Sequence, residues 1–590
     1  MRPLGSTHLH VPLAGAVGLA VLVLIAPLAA RQFIPIDARV LSTFSWRPLG
    51  PANAELVSIT TDQGFPYRAC GTDASGHTGC ATVHPDPGTS AAWEPLPFMT
   101  EGPVFPDPVE GDLLYTSWVR RYDRRTGQAS WVGPDLSEQL RGRLLASAIT
   151  FSLDGRAIFA GRRSVWRSNN AGQGWAAISP DLPGADGVAP TDAHIAVLAT
   201  SPLDTRVLWA GTSRGTVHLT RDGGASWAAA TPPIAIDATR IEGLEPSRFD
   251  PQSAYVTTSG DPSGSGATVW RTRNLGATWT NIGLSLPAGT AVHAVREDPF
   301  RRGLLVAATS AGVAFSVDDG GHWESLTNNL PGVPVTGIVI RDADLIVATR
   351  GRGAWVLDDF SPLRQLTADV LRAGVFLFRP PTAWRLRAST SAGDAMPAGV
   401  AVTFLAPATD ATTTIDIIET ATGETIRRFA GANADSRPGD EPIAVGPGLR
   451  RILWDLRYTR PERDPNAPAG ARVLPGTYQV RLTTAGQAIR QSVAVRLDPR
   501  VRAAAADLAA QRTLARALDR RRAALADRLA NQPGSGAPAL TSSLDELRRF
   551  ARAVNDVDGR PSVTLETAAL DALARAQAAI DASPQPERVP

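Results

Sequence analysis

The chain of 590 residues is long enough for two or three domains, and its formal net charge of only +2 does not point to nucleic acid or another polyanionic partner. With 43% hydrophobic residues, 53 glycines and 47 prolines, the composition suits a turn-rich β protein and excludes a disordered chain. All 59 basic residues are arginine, which codon bias in a GC-rich genome explains before any selected role does.

Val11–Ala30 is a nearly unbroken apolar run, VPLAGAVGLAVLVLIAPLAA, with Arg2 before it and Arg31 after it. Its 20 residues are long for a signal-peptide core and about right for one membrane span. A small-x-small cleavage site is missing, because Leu28 precedes a cut after Ala30 and Pro27 a cut after Ala29. Residues 1–32 are therefore either a cleaved signal peptide or an uncleaved anchor. Both readings place the remainder in the periplasm or outside the cell, held at the inner membrane if the anchor stays.

Cys70 and Cys80 flank GTDASGHTG, which reads as a hairpin loop between YRAC and CATV. In an oxidising compartment two facing strand cysteines form a disulfide. Free thiols are the second reading. A metal site would need further ligands at useful spacing, although His77 and His84 are near. No metal or cofactor motif is found elsewhere.

Trp46, Trp93, Trp131, Trp175, Trp227, Trp279 and Trp323 recur at spacings of 47, 38, 44, 52, 52 and 44. Each opens a segment that reads as the last strand of a unit, such as SWAAAT or TWTNIG. Units of 40–50 residues with four short strands are the mark of a β-propeller. The last unit has three strands near 335–359 and no tryptophan strand after them. The strand around Trp46 is expected to supply the fourth, which gives seven blades over 41–360 and leaves no exposed sheet edge.

Residues 361–397 read as a linker. An immunoglobulin-like β-sandwich is expected over 398–500, with hairpin turns at TATGET and TTAGQA and polar Pro-rich loops at Asp435–Pro442 and Pro461–Pro475. Residues 501–582 read as a small helical region. It has a Leu514, Leu518, Leu525, Leu529 seam, a Ser543/Glu546 capping box, and a last helix carrying Leu570, Leu573 and Ile580. Residues 583–590 read as a disordered end.

Four units share the turn S/T-x-D/N-x-G-x-x-W. The matching residues are Ser168, Asn170, Gly172 and Trp175; Thr220, Asp222, Gly224 and Trp227; Thr272, Asn274, Gly276 and Trp279; and Ser316, Asp318, Gly320 and Trp323. The third position accepts hydrogen bonds from turn amides, and glycine takes the left-handed conformation. This pattern resembles the Asp-box, or bacterial neuraminidase repeat, of sialidases, xyloglucan-cleaving endoglucanases and sortilin. The resemblance implies that these residues are structural and lie away from the substrate face.

Further stretches, including FPYRACGTD, VLWAGTSRGTVHLTRDGG, DLIVATRGRGAWVLDD and LPGTYQVRL, resemble exported bacterial proteins labelled sortilin-N-terminal-like or glycosyl hydrolase, over roughly 40–510. Relatives usually carry histidine where this chain has Arg350, and often glutamate at Ser310. A sialidase reading would need an arginine triad, a Tyr–Glu pair and an acid Asp. Tyr67, Tyr115, Tyr122 and Tyr255 show no Glu partner in the expected place, and Tyr458 and Tyr478 lie outside the propeller.

The channel mouth is where such folds bind ligands. Starts of inner strands bring His194, Arg240, Glu242, His293 and Arg296 to it, and loop tips bring Arg162, Arg163, Arg214, Arg350 and Arg352. Such a ring suits the carboxylate of an acidic glycan or a peptide. The expected function is an exported or anchored binding propeller with a glycan or protein ligand. A sialidase-like or xyloglucanase-like hydrolase is the alternative.

Overall fold

The computed structural model describes residues 41, 44–50, 55–61, 67–72, 78–83, 92–96, 104–110, 112–116, 119–134, 148–183, 193–234, 239–259, 269–287, 289–386, 399–406, 412–435, 439–443, 448–462, 464, 466–498, 501–531 and 537–583. The apolar run Val11–Ala30, His77, His84 and the last seven residues lie outside them. Among the described residues no helix is long and apolar enough to cross a membrane.

The protein is mostly β. Among the described residues seven four-stranded antiparallel sheets form, and six of them use strands consecutive in the chain. The seventh pairs Trp46–Gly50 with Gly353–Leu357, matching Trp46 to Leu357 and Pro48 to Trp355. Arg47 clamps this join through paired 3.0 Å bonds from Nε and Nη2 to the Asp358 carboxylate.

First strands of successive repeats lie side by side. Ala148–Phe151, Ile195–Thr200, Ile241–Pro246, Val292–Glu297 and Val335–Arg341 follow one another, and Val335–Arg341 also lies beside Glu55–Thr61 of the first repeat. Apolar side chains fill the space between adjacent sheets, as where Trp209 and Val217 of one meet Ile241 and Val256 of the next.

The shared turn is built identically four times. The hydroxyls of Ser168, Thr220, Thr272 and Ser316 each accept the backbone N–H of the box glycine at 2.9 Å. Each also donates to the Asn170, Asp222, Asn274 or Asp318 side chain, at 2.9, 2.8, 3.0 and 2.8 Å. That side chain accepts the N–H four residues on, from Gly174, Ser226, Thr278 or His322.

The glycines do more than relieve φ, which runs from 82° to 104° at the four positions. A Cβ on Gly172, Gly224, Gly276 or Gly320 would meet Val132, Ile178, Ala230 or Ile282 of the preceding repeat within 2.4–2.8 Å. The tryptophans use those same residues. The indole N–H donates to the carbonyl of Val132 from Trp175, Ile178 from Trp227, Ala230 from Trp279 and Ile282 from Trp323. Trp46 continues the series by donating to Leu326 at 2.8 Å. Each tryptophan therefore staples its repeat to the one before, and Trp46 takes its place after Trp323.

The seven tryptophans are not all equivalent. Trp46 pairs with the last residue of its neighbouring strand, whereas Trp131 pairs with Arg120, the first of its own, and Trp93 with Ala81 in mid-strand. Trp131 is accordingly 42% exposed. The first units lack the S/T-x-D/N-x-G turn that sets the tryptophan in place.

Cys70 and Cys80 are directly opposed on adjacent strands and joined, with Cα atoms 4.1 Å apart. This is slightly closer than the usual 4.4–6.8 Å, as a directly cross-strand pair requires. Reduction should add two hydrogens to the mass, and no mass change on reduction would mean free thiols.

The segment read as a linker is largely structured. It holds helices Pro362–Gln365 and Ala368–Ala373. Phe376–Leu377 then joins a three-stranded sheet, and Ala383–Arg385 runs parallel to Gln487–Leu497 in a six-stranded sheet. Pro461–Pro475 is not simply a polar loop, because Glu462, Ala467, Ala471 and Val473 are buried. Three helices follow, Ala505–Asn531, Ala537–Asn555 and Val563–Ala582. Leu514, Leu518 and Leu525 share one core with Trp454, Tyr478 and Val480 of the sheets. Ser543 lies inside the second helix and caps nothing at its start. The cap found is Ser562, whose side chain accepts from the Leu565 N–H.

Asp344, the first residue of the strand Asp344–Thr349, sits among Asp358 and Asp359, and burial raises its carboxyl to about 7. A folded pKa above the unfolded value means the native state binds the extra proton, so stability falls as pH rises from about 4 towards 7. Asp344→Asn should raise the melting temperature at about pH 8 and leave it unchanged near pH 4. Equal effects at both would show that Asp344 is ionised throughout.

Candidate functional site

The mouth is built on one backbone clamp. In three successive repeats the residue before the inner strand exchanges hydrogen bonds with the serine that follows the second strand of the same sheet. His194 N–H donates to Ser213 Oγ at 3.1 Å and Ser213 N–H returns to His194 O at 2.8 Å. Arg240 with Ser259 and Ala291 with Ser310 repeat the exchange. Ser310 is therefore a structural clamp. In the last repeat Arg350 takes the serine's place, and its N–H donates to Pro334 O at 3.0 Å. Ser213, Ser259 and Ser310 were the signal that Arg350 is the odd member of a series.

Glu242 and His293 are equivalent second residues of adjacent inner strands, and both are half-buried. Glu242 lies 3.8 Å from the exposed Arg240 guanidinium. Burial holds the His293 imidazole below its ordinary value, the Glu242 charge opposes this, and Arg350 adds to it. Arg240 thus reaches Glu242, and Glu242 and Arg350 act on His293, so residues of three repeats meet here, with His293 neutral near pH 7.

Arg296 is not part of that group. It lies one layer deeper and pairs with Glu245 of the adjacent strand at 3.3 Å. Burial keeps the Glu245 carboxyl above its usual range even against Arg296. His194 holds the position of Arg240 one repeat earlier. Arg352 is exposed, and its carbonyl accepts the Trp355 indole at 2.9 Å. Arg163 is tied to Asp181 at 2.7 Å. Burial, and then Arg163, hold Arg162 below the usual guanidinium value.

A tyrosine–glutamate pair does exist. Tyr255 Oη donates to Asp319 at 2.7 Å and lies 3.4 Å from Glu297, which also accepts from Ser247 Oγ at 2.6 Å. It sits at the turn end of the sheets, away from the mouth, and is buried. It joins two repeats and meets no open site. Neither its spacing nor its composition marked it, because Glu297 and Asp319 come from the following repeat. Among the described residues no group of three or more His, Cys, Asp or Glu could hold a metal ion.

No family model matches the chain, and no curated protein matches it. It is similar to the GH74 xyloglucanase from Xanthomonas campestris, with 16% identity over 78% of this chain and 83% of that one and a TM-score of 0.41. It is also similar to YCF48 from Cyanidioschyzon merolae, at 16% identity over 53% and 98% and a TM-score of 0.37. An ancestral GH74 enzyme shares 12% identity over 77% and 64%, with a TM-score of 0.40.

Proposed function

We propose that this chain is an exported β-propeller binding protein whose seven four-stranded sheets form one closed, seven-bladed ring of the Asp-box type. Its mouth takes an anionic group of a glycan or peptide. The observation that carries the reading is the meeting of Arg240 and Glu242 of one repeat with His293 and Arg350 of the next two. Two guanidiniums offer planar donor forks for a carboxylate or sulfate. Glu242 holds Arg240 in place and can accept from a ligand hydroxyl. The half-buried Glu245–Arg296 pair lies beneath as a polar floor.

Hydrolysis of a glycosidic bond would need two carboxyl groups flanking it; this reading gives Glu242 the role of a ligand acceptor, and binding without turnover is its expected outcome.

The test is a glycan array with parallel hydrolysis assays, followed by titration of a uronic-acid oligosaccharide. Binding should weaken with salt, since arginine–anion attraction is screened. Arg240→Ala with Arg350→Ala should weaken it at least about tenfold, each charge-assisted bond being worth roughly 1.5–3 kcal/mol. Thermal stability should hardly change. Binding should also strengthen as pH falls below the ordinary imidazole value near 6.5, because a protonated His293 adds a cation; His293→Gln should remove that pH dependence. Turnover on the array, or unaltered binding by the double variant, would overturn the reading.

A further inference from the structure

The six-stranded sheet after the propeller repeats has two unlike faces. Strand alternation sends Tyr478, Val480, Leu482, Val493 and Val495 into the core shared with the helices. The opposite face is set out in rows by the register. Trp384 stands beside Arg496, Thr477 beside Ala494, Gln479 beside Ser492, and Arg481 beside Arg490. Trp384, Thr477, Ser492, Arg490 and Arg496 are exposed, while Ala383 and Arg385 on either side of Trp384 are buried.

The charge on this face is unequal. Asp416 continues the Arg490–Arg481 row onto the next strand. It lies 2.8 Å from the Arg481 guanidinium and 3.6 Å from that of Arg428, and Arg428 also pairs with Asp440 at 3.0 Å. Two acids and two arginines thus balance. Arg490 and Arg496 are exposed cations in excess of them. They are six residues apart on one strand, and at about 3.4 Å per residue this is roughly 20 Å.

Trp384 is 41% exposed, with the Arg496 guanidinium over its ring, 6.0 Å from the centroid. A lone exposed aromatic needs no explanation. This one stands at the end of a strip whose middle holds the short side chains of Thr477, Ser492 and Ala494. Short side chains leave a shallow track along the strands, and Thr477, Ser492 and Gln479 can donate to and accept from hydroxyls. A flat indole suits the C–H face of a pyranose ring, and guanidiniums suit carboxylates. A protein partner would be met by a packed apolar centre, whereas the middle of this strip is small and polar. A nucleic acid strand carries a phosphate about every 3.4 Å, far denser than two cations roughly 20 Å apart.

We propose that this sheet face is a second ligand site, which takes an acidic polysaccharide laid along the strands. A sugar ring stacks on Trp384, and carboxylates of separate units meet Arg496 and Arg490. The site belongs to the sandwich and does not depend on the reading of the propeller mouth.

The test is affinity electrophoresis of the full chain through gels holding polygalacturonate, dextran or no polymer. The Arg240→Ala/Arg350→Ala variant removes the mouth's contribution. It should still be retarded by polygalacturonate and not by dextran. On that background Trp384→Ala and Arg490→Ala should each weaken retardation at least about tenfold, with Trp384→Phe keeping part of it. Melting temperatures should stay unchanged, since both residues are exposed. If Trp384→Ala lowers the melting temperature, Arg490→Ala alone decides. Loss of all retardation in the mouth variant would overturn the sheet site and leave the mouth standing. Unaltered retardation by Trp384→Ala and Arg490→Ala would also overturn it. Tighter binding of oligodeoxythymidylate than of polygalacturonate would assign the face to nucleic acid and overturn the proposal too. Trp384→Ala with Arg490→Ala on an intact mouth reports the mouth alone, so the two readings fail separately.

Discussion

Trp46→Ala should be among the most damaging single substitutions in the chain. The side chain is 2% exposed, and its indole donates to Leu326. Asn329 both accepts from the Trp46 N–H at 2.7 Å and donates to its carbonyl at 2.8 Å. Truncation empties a packed site, leaves the Leu326 carbonyl without its donor, and loosens the strand that completes the seventh sheet. Losses of about 3–5 kcal/mol accompany buried Trp→Ala changes. Calorimetry should show a lowered transition, and limited proteolysis should cut first near residue 46. Trp46→Phe keeps much of the apolar volume and should fall between the two. A Trp46→Ala protein that melts within about 0.5 kcal/mol of wild type would show that completion of the seventh sheet does not depend on this side chain.

Arg522→Ala should be comparably severe, for an electrostatic reason. Arg522 is fully buried and donates to Glu462, to Asp519 at 3.0 Å and to the Pro468 carbonyl at 2.7 Å. It holds the first long helix against the Pro461–Pro475 segment. Burial already raises Asp519 to about 6 against the opposing charge of Arg522. Removing one partner of a buried network costs about 3–5 kcal/mol, because the remaining charges stay desolvated. Replacing all three together, as Arg522→Met with Glu462→Gln and Asp519→Asn, should recover much of the loss. Denaturation followed by helical circular dichroism would measure both. A loss below about 1 kcal/mol for Arg522→Ala would mean water or Arg548 compensates Glu462 fully.

The parts legible in the sequence were those written locally. The four S/T-x-D/N-x-G-x-x-W turns, the incomplete unit at 335–359 and the leucine seam of the first long helix all depend on residues near one another in the chain. What stayed hidden was set by contacts between repeats. The indole bonds of Trp175 and Trp227 run 43 and 49 residues back. The box glycines face the same partners, which no local pattern names. Trp131 matched by spacing alone and failed by register. At the mouth, Arg240, Glu242 and His293 could be inferred from their places at strand starts. Arg296 looked equivalent, but it sits three residues further along its strand than His293 and is consumed by Glu245.

The pairing of Arg47 with Asp358 across 311 residues also bears on how the molecule is made. At roughly 5–20 residues per second, the first strand exists for roughly 15–60 s before its partner is synthesised. During that interval neither the strand nor the growing last sheet has a covered edge. The pairing of Trp46–Gly50 with Gly353–Leu357 is thus one of very high contact order, with an entropy cost that rises only as the logarithm of loop length but a search that is slow. A polypeptide of this design carries an unpaired first strand until residues 353–357 have been made, and that strand edge is where misassociation can begin.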